Sequence, residues 1–208
     1  LRGGMTLSEV TLDLARRMGV EHPVVPMSDD PVRTIVESDD GEMSFQEYFV
    51  RRRAEPEVRG LRFDGADSAR LAPAFKAALR SADAIVFCPS NPFLSIDPIL
   101  SLPGIRGLIA AAGAPRVVVS PIIGGRAVKG PAARIFETLA DKPPSALAVA
   151  EHYSGLATHF VMDTVDEASR DAVEALGYTV LVTETLMTND SDKIALASAV
   201  CDTAGVPV

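Results

Sequence analysis

The strongest constraint on the fold is a short apolar run that ends in a proline-stiffened polar loop, a design that occurs twice. Ala84-Ile85-Val86-Phe87 leads into Cys88-Pro89-Ser90-Asn91-Pro92-Phe93-Leu94-Ser95-Ile96, and Val117-Val118-Val119 leads into Ser120-Pro121-Ile122-Ile123-Gly124-Gly125. An apolar run of this length, bounded by turn residues, reads as a strand buried on both faces of a parallel sheet. In an open parallel sheet, ligands sit in the crevice at the carboxyl ends of the strands. Two stiff polar loops at that level define one shared crevice. They offer backbone N–H groups and hydroxyls to an anion without a charged side chain.

From Asp83 onward the pattern is regular. Strands at 84–88, 116–120, 159–163 and 179–184 alternate with helices at 97–101, 105–112, 131–140, 145–155, 167–176 and 191–203. This alternation predicts an α/β fold: a three-layer, Rossmann-like parallel sheet with helices on both faces, spanning residues 66–208. Residues 1–65 are less regular. Thr6-Leu7-Ser8-Glu9 has the form of a capping box, followed by Val10, Leu14 and Met18 at helical spacing and a stop at Gly19. Strands are expected at 24–27, 32–36 and 58–63, with a hairpin turn at Asp39-Asp40-Gly41. A second capping box, Ser44-Phe45-Gln46-Glu47, predicts a short helix to Arg53. This part reads as a smaller, strand-rich insertion or subdomain.

Composition removes several function classes. The net charge of −8 and a pI of about 4.9 are the wrong sign for a nucleic-acid coat or a binder of anionic membranes. The two cysteines, Cys88 and Cys201, have no CxxC spacing, which leaves no basis for a disulfide framework or a zinc site. There is no signal-peptide pattern and no run of 18 or more apolar residues. A soluble, cytoplasmic protein is expected. The start at Leu1-Arg2-Gly3-Gly4, with a capped helix almost at once, reads as the middle of a larger protein.

The first loop holds Ser90 and Asn91 between two prolines that fix φ. Ser95 and a helix start follow, and a helix N-terminus adds about half a positive charge. The pair is either a ligand contact or a turn capped by Ser and Asn. In the second loop Gly124 and Gly125 let a backbone approach a ligand closely, and Lys129 stands just before a helix opened by Pro131. Neither the Walker A spacing nor a GxGxxG fingerprint is present. Asp163 ends an apolar strand on the ligand side and is a candidate polar or metal contact. Asp166 either joins it or caps a helix starting at Glu167. Asp29-Asp30 reads as a turn more readily than as a metal pair, Cys88 as a buried inert thiol, and His152 as a surface residue. The arginines Arg51, Arg52 and Arg53 are either a solvated helix end or a phosphate-facing cluster.

Taken in order, PSNPFLSIDPIL (89–100), VVVSPIIGGRAVKGPAARI (117–135), AEHYSGLATHFVMD (150–163) and ETLM (184–187) resemble the 2-phospho-L-lactate transferase family. MSDDPVRTIV (27–36) and FQEYFVRRR (45–53) are similar to it too, so the resemblance covers essentially the whole chain. It implies an Mg²⁺-assisted transferase of deazaflavin coenzyme biosynthesis. A GDP-linked 2-phospholactate or phosphoenolpyruvate would donate its phosphate ester to the ribityl hydroxyl of a deazariboflavin precursor, and GMP would leave. Ser90, Asn91 and Ser95 would then hold the diphosphate or nucleotide. Ser120, Gly124, Gly125 and Lys129 would line the facing wall. The resemblance also implies an upstream nucleotide-binding strand, a glycine-rich loop and metal-associated aspartates outside these residues, and a homodimer. The alternative is a non-catalytic nucleotide-sugar-binding regulator, because the gluconeogenesis-factor proteins share a similar PS-x-x-x-SI arrangement.

Overall fold

Valine-rich strands alternate their side chains between two faces, and the sheet is built on that alternation. The structure, a computed structural model, describes residues 4–127 and 132–207. Its first part holds α1 (Leu7–Arg17), β1 (Arg33–Ser38), β2 (Gly41–Ser44), a π-helical turn (Glu47–Arg51) and β3 (Val58–Asp64). It continues with α2 (Pro73–Ser81), β4 (Ile85–Phe87), a second π-helical turn (Pro92–Ile96), α3 (Asp97–Leu100) and α4 (Ile105–Ala110). Then come β5 (Arg116–Val119), β6 (Ile122–Ile123), β7 (Arg126–Ala127), α5 (Ala132–Leu139) and α6 (Ala146–His152). The last elements are β8 (His159–Met162), a 3-10 segment (Thr164–Ser169), α7 (Arg170–Glu174), β9 (Thr179–Val182) and α8 (Asp190–Thr203).

Strands β4, β5, β8 and β9 form a parallel sheet in that order, with Val118 opposite Phe160 and Phe160 opposite Val180. Each strand is thus added beside its predecessor in one direction. Right-handed crossovers then place all the connecting helices on the same face. The side chains agree: Val118, Phe160, Met162 and Val180 share a core with Ile105 and Ile109 of α4, Val149 of α6 and Val173 of α7. The alternate residues Val117, Val119 and Val161 face the other way and pack on Leu196, Val200 and Ala204, in and just after α8. The expected three layers are present, and α8 is the helix that supplies the third. It covers β5 and β8, while Val86 of the edge strand β4 is left 40% exposed on that side.

The antiparallel sheet has the order β2-β1-β3. Asp39-Asp40 closes the β1–β2 hairpin between Ser38 and Gly41, as the turn signal predicts. Its inner residues Val36, Met43 and Val58 belong to the same core as the parallel sheet, reached through Ile135 and Phe136 of α5. Its outer face carries Arg62 among Glu37, Glu42 and Asp64, a solvated ion-pair cluster worth little to stability. Arg52 pairs with Asp40, so one member of the arginine triplet is a surface partner of the hairpin. The chain differs from expectation at 24–27, where there is no strand, only an isolated bridge between Ser28 and Leu71. Ser28 donates to the Arg70 carbonyl, Asp29 accepts from the Ser8 N–H, and Asp30 accepts from the Arg70 N–H. The two aspartates therefore tie the loop down, as a turn reading implies. Among the described residues no helix is long and apolar enough to cross a membrane.

Two local features fix the ends of these elements. Gly65, at φ +86°, follows β3 with its α-carbon against the Pro31 carbonyl; a β-carbon there would sit 2.4 Å from that oxygen. Asp163, 5% exposed, follows β8 and bridges to the segment after β9. Its Oδ2 accepts from the Thr185 N–H (2.9 Å) and hydroxyl (3.0 Å), and its Oδ1 from the Val165 N–H (3.1 Å). Burial alone would raise its pKa. The bonds from Thr185, Val165 and Thr164 outweigh burial and hold it below the usual carboxylate range.

Asp163→Asn places an amide donor against the donors of Thr185, so a loss of about 2 kcal/mol in urea denaturation at pH 7 is expected. A depressed pKa contributes stability that is present above the unfolded value near ~3.9 and is lost as pH falls through the folded value. The gap between wild type and Asp163→Asn should therefore close in acid; a gap that persists would show that the charge is immaterial. Gly65→Ala meets both a forbidden φ and the Pro31 oxygen. A loss of at least about 1–3 kcal/mol is expected, read as a fall in Tm, with Gly60→Ala in β3 as a comparison against a flexible glutamate side chain.

Candidate functional site

The loops that leave β4, β5, β8 and β9 all lie at the carboxyl edge of the parallel sheet, and side chains from distant parts of the chain tie them together. After β4, Asn91 caps the π-helical turn that follows it: its Oδ1 accepts from the Phe93 N–H (3.1 Å) and the Leu94 N–H (3.2 Å). Two backbone donors converging on one atom identify that atom as oxygen, so the other is the NH₂ group. This Nδ2 is buried and makes no hydrogen bond among the described residues. A buried amide left unpaired costs about 1–3 kcal/mol. Few such groups occur in folded proteins, and each calls for an explanation. Ser90 is half-buried and Ser95 exposed; Ser95 donates its backbone N–H to the Asn91 carbonyl. Both readings of Asn91, cap and ligand contact, are thus compatible, because they use different atoms of one side chain.

The turn carrying Asn91 is packed on α6. The Phe93 ring lies edge-to-face between Phe136 (centroids 4.9 Å apart) and His152 (4.8 Å), and Phe87 meets Tyr153 at 5.3 Å. Edge-to-face pairs contribute about 0.5–1.5 kcal/mol each beyond their buried area. His152 is not the surface residue expected. Its Nε2 donates to Oδ1 of Asp97 at 2.9 Å, and both side chains are only 18% exposed. Tyr178, whose hydroxyl donates to the Ala150 carbonyl in α6, has its pKa pushed up to about 12 by burial.

After β5, the Ser120 hydroxyl donates to the Ile122 carbonyl and accepts from the Ile122 N–H, so it folds its own turn and is 2% exposed. Strands β6 and β7 form a hairpin whose tip is Gly124-Gly125, with φ of +55° and +74°. Two positive φ values are what a type I′ hairpin turn requires, and they account for the glycine pair. The Gly124 N–H donates to both carboxylate oxygens of Asp166 at 3.2 and 3.1 Å. Asp166 therefore pins the hairpin tip instead of capping the helix after it; Asp163 makes that cap. Burial, with repulsion from Asp163, raises the Asp166 pKa against the opposing bond from Gly124. Lys129 and Pro131 lie outside the described residues.

Cys88 corrects another expectation, because it is exposed. Ile85 and Phe87 point into the core, so Cys88 falls on the opposite face of β4, which α8 does not reach. Asp163 has its oxygens occupied by the bonds described above. Among the described residues no group of three or more His, Cys, Asp or Glu is placed to hold a metal ion. The sequence reading missed Asp97 and Thr185. Neither forms a local motif, since their partners lie 55 and 22 residues away.

A family profile described as 2-phospho-L-lactate transferase CofD matches residues 1–194. A 2-phospho-L-lactate transferase of Methanosarcina barkeri is 37% identical over 200 residues, covering 96% of this chain and 64% of that protein. A phosphoenolpyruvate transferase of Streptomyces griseus is 42% identical over 202 residues, covering 95% of this chain and 63% of that protein. The chain thus spans less than two thirds of the length of these relatives. A solved structure from Bacillus halodurans, described as a member of the upf0052 family, superposes with a TM-score of 0.60 at 16% identity. The match covers 92% of this chain and 66% of that one, and it shows the fold alone. On the profile and these relatives together, the chain belongs to the 2-phospho-L-lactate transferase family.

Proposed function

We propose that this chain carries the transfer step of deazaflavin coenzyme assembly, using 2-phospholactate or phosphoenolpyruvate joined through its phosphate to GMP. The ribityl hydroxyl of a deazariboflavin precursor attacks the phosphorus that bears the three-carbon acid. One P–O bond forms, the anhydride P–O bond to GMP breaks, the hydroxyl proton is released, and GMP leaves. Such a reaction asks a protein for positioning and charge stabilisation more than for covalent chemistry. The observation that carries the reading is the Nδ2 of Asn91, without a hydrogen-bond partner among the described residues and held at the carboxyl end of β4 by the bonds of its own Oδ1. It is a fixed neutral donor of the kind that a phosphoryl oxygen accepts from.

Ser90 and Ser95 flank that donor and would contact the diphosphate or nucleotide. Gly124 and Ser120 would act from behind: Ser120 folds the facing turn and Gly124 is held by Asp166, so they shape the wall that Gly125 would line. The described residues do not fit a protein-held Mg²⁺: the oxygens of Asp163 are occupied by hydrogen bonds, Asp166 holds the Gly124 N–H, and no group of three or more His, Cys, Asp or Glu among them is placed to hold the ion. A cytoplasmic homodimer is the expected working form of the protein.

Mass spectrometry of a reaction containing the deazariboflavin precursor, Mg²⁺ and either GDP-linked acid tests the reading. The assay should use this chain and, in parallel, the product of the open reading frame that encodes it. A phosphodiester product with GMP is expected, and the acid that reacts identifies the donor. No product from either protein, with tight binding of a UDP-sugar instead, would replace the transferase by a nucleotide-sugar binder. Two substitutions then separate the roles of one side chain. Asn91→Asp keeps the capping oxygen and should leave Tm near wild type, yet replace the amide donor by an anion and lower kcat/KM by about 100-fold or more. Asn91→Ala should lose both the cap, about 1 kcal/mol, and the activity. An active Asn91→Asp enzyme would reduce Asn91 to a cap.

A further inference from the structure

Asn91 works as a fixed donor only if the turn behind it cannot move, and the two prolines restrict only their own φ angles. A second restraint comes from α6. The His152 ring is edge-on to Phe93, 4.8 Å between centroids, while its Nε2 donates to Asp97 at 2.9 Å. Phe93 is the residue whose N–H binds Asn91 Oδ1, and Asp97 is the residue that ends the same π-helical turn. One imidazole therefore grips both ends of the turn. Asp97 is kept in place from the other side by Arg106, whose guanidinium lies 3.9 Å from the same oxygen. The Phe93 ring is backed by Phe136 of α5, so sliding of the turn away from His152 is blocked as well.

We propose that His152 and Asp97 are positioning residues for Asn91: they clamp the turn so that the Asn91 amide is aimed at the donor phosphate without touching substrate themselves. This rests on the transferase reading for what Asn91 contacts, but the clamp itself is a property of the fold. Loss of the clamp lets Asn91 sample other rotamers and frees the Phe93 and Leu94 N–H groups. Misplacement of a reacting contact by about 1 Å can cost on the order of 100-fold in rate.

Two readouts test this independently. Hydrogen exchange at the Phe93 and Leu94 amides, which requires no activity, should speed up by about tenfold or more in His152→Ala, while amides of β5 and β8 stay protected. His152→Gln, which keeps a donor for Asp97, should restore part of the protection. In the transfer assay His152→Ala and Asp97→Asn should each lower kcat/KM by about 10- to 100-fold. The double-mutant cycle decides the rest. In an Asn91→Ala background, His152→Ala should add less than about twofold, because its effect passes through Asn91. Unchanged exchange in His152→Ala, or losses that multiply fully in the double variant, would overturn the clamp. A wild-type protein without product would sink the transferase reading, and the exchange experiment would still decide the clamp.

Discussion

The carboxylate of Asp163 is the interaction on which the carboxyl edge of the parallel sheet depends. A parallel sheet leaves the ends of its strands to loops that share no hydrogen-bond ladder, so something must fix those loops relative to one another. Asp163 does this between β8 and the segment after β9, drawing the Val165 and Thr185 N–H groups to one buried side chain. Its neighbour Asp166 extends the tie to the hairpin after β5, and burial, with a smaller repulsion from Asp163, raises its pKa. Acidic residues at this edge act as staples.

The loop after β4 is fixed by different means. It is held by prolines, by the Asn91 cap, by aromatic packing on α6 and by the bond from His152 to Asp97. The consequence is a division of labour inside Asn91. The oxygen secures the turn and the nitrogen is left over. A neutral side chain can serve both ends in this way because its two polar atoms have opposite hydrogen-bonding character. An aspartate would do only the first.

Much of this could be read in the chain before the fold was in view. Apolar runs located the four parallel strands, two of them ending in a proline-bearing loop, and Thr6, Ser145 and Asn189 sit at helix N-caps where such residues belong. These signals are local, carried by residues within four positions of one another. The contacts that assemble the site are of another kind. His152 finds Asp97 across 55 residues and Gly124 finds Asp166 across 42, pairings set by how crossovers stack and not by spacing in the chain. Cys88 was misread for a related reason. Four apolar residues before it imply burial, but exposure depends on whether a helix reaches the edge strand, and α8 stops short of it.

The one-directional winding of the parallel sheet also dictates an order of events during synthesis. Because every crossover helix lands on the same side, the valines of β5 and β8 that face the other way have no cover until residues 196–204 arrive. A nascent chain in which β5 and β8 have emerged but α8 has not carries a hydrophobic strip that this helix has yet to cover. Such strips are what chaperones recognise and what drives aggregation when they go unattended. Docking of α8 thus closes this strip, and the interval between the synthesis of β8 and that of α8 is the one in which it stands open.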